Sequence, residues 1–122
     1  MELHESAEDY LEAILIIKNE QGYVRSVDIA NNMNVSKPSV THATKKLKES
    51  GYISLDANGM ILLTDSGFKI ANSVWTRHTT LSEFFESLGV SKTQARIDAC
   101  KVEHDISEET FKSIKKFLEK QK

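Results

Sequence analysis

The segment Cys100-Lys101-Val102-Glu103-His104 puts a thiol, a carboxylate and an imidazole close together in the chain. Positions i, i+3 and i+4 share one face of a helix, so a helical reading sets Cys100, Glu103 and His104 side by side. Asp9 and Glu12 have the same i, i+3 relation near the N-terminus, and His78 falls in a third, long helical pattern. Sulfur, oxygen and nitrogen donors of these kinds are the usual ligands of divalent transition metals. Each residue also has an ordinary role. Cys100 suits a small buried hydrophobe, and His104, close to a helix C-terminus, suits the helix dipole. Asp9 lies three residues after Ser6 and suits the acid of a capping box. Glu12 and His78 would serve equally as surface residues of their helices. Spacing alone does not bring three helices together; that step needs the fold.

The patterns that must position these groups begin with an amphipathic helix from about Ser6 to Glu20, with Ala7, Leu11, Ile14 and Leu15 on its main face. Ser26 is a good N-cap for a short helix bearing Val27, Ile29, Ala30 and Met33, and Asn34-Val35 then makes a tight turn. Ser36 opens a second helix with Pro38 in its first turn, where a missing N–H costs nothing, and Gly51 closes it. Two apolar runs, Tyr52–Leu55 and Met60–Thr64, flank Asp56-Ala57-Asn58-Gly59, and Asn-Gly is a strong hairpin signal. Helix, tight turn, helix and hairpin make a winged helix-turn-helix, whose second helix enters the major groove of DNA.

Beyond the hairpin the chain reads as helical. Thr64 can cap a long helix through about Leu88, Ser91-Lys92-Thr93-Gln94 is a capping box opening a helix to about Asp105, and Ser107 caps a last one. That last helix carries Phe111, Ile114, Phe117 and Leu118 as its apolar stripe. The expected fold is mainly α. A winged helix-turn-helix, helices plus a two-stranded wing, occupies residues 1–70, and an all-helical metal-binding and dimerisation domain occupies 71–122.

Charge is distributed in the same sense. From Ser36 to Ser50 there are four lysines against Glu49 alone, whereas residues 1–20 hold six acids against Lys18. The net charge of −2 excludes binding driven by overall charge, so affinity for nucleic acid must come from a local patch. Lys37, Ser39, Thr41, His42 and Lys45 fall on the outer face of the second helix while Val40, Ala43 and Leu47 face inward. Lysines and small polar groups on one face suit phosphates and base edges. The 122 residues with 39% hydrophobic content leave little core to spare, which favours association into a dimer. A single cysteine excludes an intramolecular disulfide and accords with a reducing cytoplasm. No signal peptide and no apolar run of membrane-spanning length, ~20 residues, is expected.

The chain resembles the diphtheria toxin repressor and manganese transport regulator family of metal-dependent transcription repressors. The likeness rests on Glu8-Asp9-Tyr10-Leu11-Glu12, on Ser36-Lys37-Pro38-Ser39-Val40-Thr41, on Leu63-Thr64-Asp65-Ser66-Gly67, on Arg77-His78 and on Cys100-Lys101-Val102-Glu103-His104, in the family's order and across nearly the whole chain. The resemblance implies that Asp9 and Glu12 are the acidic ligands of the manganese type and that His78, Glu103 and His104 are shared ligands. Cys100 stands where the manganese type has glutamate and the iron type has cysteine, so the ligand set is a hybrid. The iron type's ancillary site uses a glutamate and a histidine where this chain has Ser82 and Arg96, which implies its absence in the usual form. The resemblance is to the short form, for which the SH3-like domain of longer members is not expected. Ser36 and Pro38 match family positions close to bases.

These readings combine into a homodimeric, cytoplasmic, metal-responsive repressor of metal-uptake genes. Its co-repressor would be Mn, Fe(II), Zn or Co, and it would bind a palindromic operator in double-stranded DNA. Half-sites ~34 Å apart, about one helical turn, would match two recognition helices. The alternative is a winged-helix regulator answering to an organic ligand or to oxidation at Cys100. A zinc-dependent hydrolase fits poorly, since no nucleophile motif accompanies the ligands.

Overall fold

The computed structural model describes residues 5–121, the Glu5 side chain excepted. It divides within its longest helix into two compact units, Met1–Asn72 and Ser73–Lys122.

The first unit is built on α1 (Glu5–Gln21), α2 (Ser26–Met33), α3 (Lys37–Glu49), β1 (Ile53–Leu55) and β2 (Ile61–Leu63), followed by the start of α4 (Asp65–Ser87). Leu11 and Ile14 of α1, Val24, Ile29 of α2 and Val40 of α3 lose essentially all contact with water and form one core with Leu47, Ile53 and Ile61. Each such side chain contributes ~1.5–3 kcal/mol when removed from water, so this cluster dominates the stability of the unit. Asn34 ends α2 in the left-handed region at φ 55°, which asparagine tolerates, and the Val35 amide reaches back to the Ala30 carbonyl at 3.1 Å. That contact makes the tight turn between α2 and α3. Ser36 caps α3, its Oγ accepting from the Ser39 amide at 3.2 Å.

The hairpin is antiparallel, with Ile53 opposite Leu63 and Leu55 opposite Ile61. Its tip is organised by Asp56, whose Oδ1 accepts from the amides of Asn58 (2.8 Å) and Met60 (3.0 Å), while Gly59 adopts φ 80°. The Ile61 amide donates to the Val24 carbonyl at 2.8 Å, which ties the wing to the segment after α1. Thr64 donates its hydroxyl to the Gly51 carbonyl at 2.7 Å and accepts from the Gly67 amide at 3.2 Å, so it caps α4 as expected. A Cβ at position 67 would collide with the Tyr52 carbonyl, and this fixes glycine there.

Two boundaries differ from the sequence reading. Ser26 is the first helical residue of α2, and Arg25 holds the cap conformation. The cause is Asp28, whose Oδ2 accepts from the Arg25 amide at 2.9 Å and whose carboxylate also pairs with the Arg25 guanidinium at 3.0 Å. The acid in the first turn thus draws the helix start one residue earlier. The helix bearing Cys100 ends sooner than expected, as described next.

In the second unit the remainder of α4 is joined by α5 (Lys92–Val102) and α6 (Glu108–Lys120). Val74, Leu81, Ala95, Ala99, Phe111 and Leu118 are buried. Ser91 and Ser107 cap α5 and α6 by accepting from the amides of Gln94 and Thr110. α5 stops at Val102 rather than near Asp105, because the Asp105 amide bonds the Val102 carbonyl at 2.9 Å and tightens the chain into a turn. On α6, Phe111 and Leu118 are buried but Phe117 is about half exposed, packed edge-on against Phe84 with ring centroids 6.0 Å apart. Phe84, Leu88, Ile114 and Phe117 line an open apolar groove on this unit.

Candidate metal centre and nucleic-acid interface

In the second unit, α4 and the turn after α5 bring three of the expected ligands together. Glu103 is 1% exposed, an uncommon state for a carboxylate. Its Oε2 accepts from His78 Nδ1 at 2.9 Å, and its Oε1 lies 3.4 Å from His104 Nε2. Oε1 is buried and makes no hydrogen bond among the described residues. Leaving a charged oxygen buried in this state is costly unless a further cation engages it. Ligand atoms held ~2.1 Å from one ion stand about 3.0–3.4 Å apart, close to the 2.9 and 3.4 Å separations of these donor pairs. The chemistry and spacing therefore fit a divalent metal. The Trp75 ring stacks on His78, centroids 6.1 Å apart and planes 26° apart, and restrains the imidazole.

Cys100 is exposed on the last turn of α5, which removes the reading of it as a buried core residue. The early end of α5 also changes the expected helix face: Glu103 is the C-cap residue and His104 follows it in the turn. Ser82, one turn beyond His78, is buried, and its Oγ has no hydrogen bond among the described residues. In the first unit, Asp9 and Glu12 sit partly buried on α1, between the buried residues Tyr10, Leu11 and Ala13.

The residues expected at DNA form one exposed surface. Ser36, Lys37, Pro38, Ser39, Thr41, His42 and Lys45 are all exposed on α3 or at its cap, and Val40 and Leu47 are buried beneath. Lys46 and Lys48 are also exposed and add positive charge toward the end of the helix. Thr41 donates its hydroxyl to the Lys37 carbonyl at 3.1 Å, which leaves the oxygen of this exposed residue available as an acceptor. Ser36 and Ser39 share a hydroxyl contact of 2.8 Å at the helix start.

Sequence reasoning missed the role of Arg77. Its Nη1 donates to the carbonyls of Glu103 and Ile106, each at 3.0 Å, and its Nη2 pairs with Glu108 Oε2 at 2.8 Å. These partners lie 26 to 31 residues away, so no local pattern could have announced them.

A winged helix-turn-helix followed by a helical unit with a buried carboxylate between two imidazoles defines the class: a metal-responsive, DNA-binding transcription regulator. Two family descriptions narrow it. "Iron dependent repressor, N-terminal DNA binding domain" matches residues 2–59, and "Iron dependent repressor, metal binding and dimerisation domain" matches residues 64–122. The chain belongs to the iron-dependent repressor family. It is similar to a helix-turn-helix-type transcriptional regulator of Methanocaldococcus jannaschii, 35% identical over 97% of this chain and 96% of the relative. It is also similar to the transcriptional regulator MntR of Escherichia coli, 37% identical over 95% of this chain and 75% of the relative. Among solved structures it resembles a manganese-dependent transcriptional repressor in complex with manganese, with a TM-score of 0.83 and 28% identity over 92% of this chain. The chain spans about half of that solved chain, 52%.

Proposed function

We propose that this protein represses metal-uptake genes in the cytoplasm, binding a palindromic operator as a homodimer when a divalent transition metal is plentiful. The observation that carries the reading is the buried Glu103 carboxylate, flanked by His78 and His104 and holding one oxygen without a hydrogen bond. The proposed ligands are His78, Glu103 and His104 from the second unit, Asp9 and Glu12 from the first, and Cys100 as a thiolate. A bound divalent ion supplies a positive centre that these donors can share.

The chain's own residues then convert ligation into DNA affinity. Asp9 and Glu12 belong to α1, and α1 packs directly on α2 and α3. Holding α1 in one position relative to the second unit therefore holds α3, with Lys37, Ser39, Thr41, His42 and Lys45, in one position. In a dimer this fixes the separation of two recognition helices, so that both meet their half-sites together. The metal must bind the DNA-competent arrangement better than other arrangements, and DNA must tighten metal binding by the same factor. Solved structures named as manganese-dependent regulators support manganese as one effector. A thiolate at Cys100 would extend the response toward Fe(II), Co(II) or Zn(II).

Titration of the apo protein with Co(II) tests the ligand set. Wild type should bind, with a near-ultraviolet thiolate charge-transfer band that Cys100→Ser removes. Binding without that band would restrict the set to Asp9, Glu12, His78, Glu103 and His104. Failure to bind Co(II), Mn(II), Fe(II) or Zn(II) would end the proposal.

A further inference from the structure

The ligand residues Glu103 and His104 do not stand on a finished helix. They occupy the turn that follows α5, where the backbone carbonyls of a helix end lose their intrahelical partners. A turn of this kind is held in one shape only if something else collects those carbonyls. Arg77 does so. One guanidinium nitrogen donates to the Glu103 and Ile106 carbonyls at 3.0 Å each, and the other pairs with Glu108 Oε2 at 2.8 Å. The guanidinium also packs over the Phe111 ring, 5.2 Å from its centroid. The Arg77 side chain is 17% exposed, so the two carbonyl bonds are largely shielded from water, whereas Glu108 is 60% exposed and its ion pair is worth less.

We infer that Arg77 is a positioning residue for the metal centre, which clamps the 103–106 turn so that the Glu103 carboxylate and the His104 imidazole converge with His78. This inference rests on the metal-binding reading above. Arg77 immediately precedes His78 on α4, so the helix that supplies one ligand also supplies the clamp for two others. The fork geometry matters. A planar guanidinium with five fixed donors can span two carbonyls and a carboxylate at once, and an ammonium cannot hold the same three directions rigidly. The positive group also sits at the C-terminal end of α5, where it complements the helix dipole and stabilises the turn against unwinding. The clamp reaches α6 as well, through Glu108 in its first turn and Phe111 one turn later. The shape of the ligand turn and the placement of the α6 start are thus set by the same side chain.

The test compares wild type with Arg77→Met and Arg77→Lys by calorimetric Mn(II) titration of the whole chain, with amide hydrogen exchange of residues 103–107 in the metal-free protein. Arg77→Met keeps an apolar stem over Phe111 but removes every donor. It should bind Mn(II) ~10–100-fold more weakly, as loss of supporting hydrogen bonds around metal ligands commonly does. Exchange at 103–107 should accelerate while helical circular dichroism is kept. At saturating Mn(II) its DNA affinity should return to the wild-type value, because Arg77 acts on ligand geometry and not on the reading head. Glu108→Gln, which leaves both carbonyl bonds in place, should change Mn(II) affinity little. Arg77→Lys serves if the methionine variant does not fold, and it should lose affinity to an intermediate degree. Wild-type Mn(II) affinity in either folded Arg77 variant, with or without faster exchange, would overturn the inference. Absence of Mn(II) binding by wild type would instead overturn the metal-binding reading beneath it.

Discussion

Glu103 Oε2 lies 2.9 Å from His78 Nδ1, joining the end of α5 to the middle of α4 across 25 residues of sequence. The contact buries a carboxylate beside an imidazole while its second oxygen makes no hydrogen bond among the described residues. Such an arrangement is costly for the metal-free protein and favourable once a cation joins it. Glu103→Gln keeps the shape and removes the charge. Mn(II) affinity should fall at least as far as the ~10–100-fold lost when a supporting residue is removed. The thermal midpoint of the metal-free protein should stay level or rise. Calorimetry and a circular dichroism melt check the two halves, and unchanged Mn(II) affinity would remove Glu103 from the ligand set.

The exposed face of α3 separates two kinds of contact. Lys45→Ala should weaken binding to every DNA sequence alike and lower the salt slope by ~1 if the lysine neutralises one phosphate. His42→Ala should change which operator sequences are preferred. Binding-site selection on both variants distinguishes them, and an unaltered preference profile would take His42 out of base recognition.

Much of the first unit was legible because its signals are local. Ser36 with Pro38, Gly51 and Asn58-Gly59 each set a backbone conformation by their own chemistry, and the structure has the cap, the helix end and the hairpin tip at those residues. Ser26 misled because Asp28 gathers the Arg25 amide and moves the helix start, a competition between two plausible caps that composition does not rank. The candidate metal centre was only half legible. The donor types and their spacing marked candidate ligands, and the structure brings His78, Glu103 and His104 together. The close of α5 at Val102 depends on a turn, and the clamp on that turn depends on Arg77, 26 residues distant. The exposure of Cys100 is of the same kind, since a lone apolar-tolerant residue on a helix carries no mark of which side it faces.

Asp28 gives the first unit a defined acid sensitivity. Its hydrogen bonds with Arg25, and the neighbouring positive charge, hold its carboxyl below the usual carboxylate range. A group whose pKa is lowered by folding contributes stability that is complete above its unfolded pKa, ~3.9, and fades as the pH falls through the folded value. Asp28→Asn should therefore be less stable than wild type at neutral pH, and the two should converge below pH ~4. The Arg25 side chain is 50% exposed and that of Asp28 14%, so water and salt reach the pair from the Arg25 side; the difference should be modest and should shrink with added salt. Urea titrations at pH 7 and pH 3 check the sign. A gap that widened in acid would contradict it.

The coupling of metal to DNA binding is tested most directly by measuring the affinity of the purified protein for one operator duplex at fixed salt, first with chelator and then with saturating Mn(II), Fe(II), Zn(II) or Co(II) added singly. At least one of these metals should tighten binding by ~5–150-fold, the range that coupling energies of ~1–3 kcal/mol produce. Equal affinity in chelated and metal-loaded protein for all four would show that the His78, Glu103 and His104 cluster does not govern the reading head.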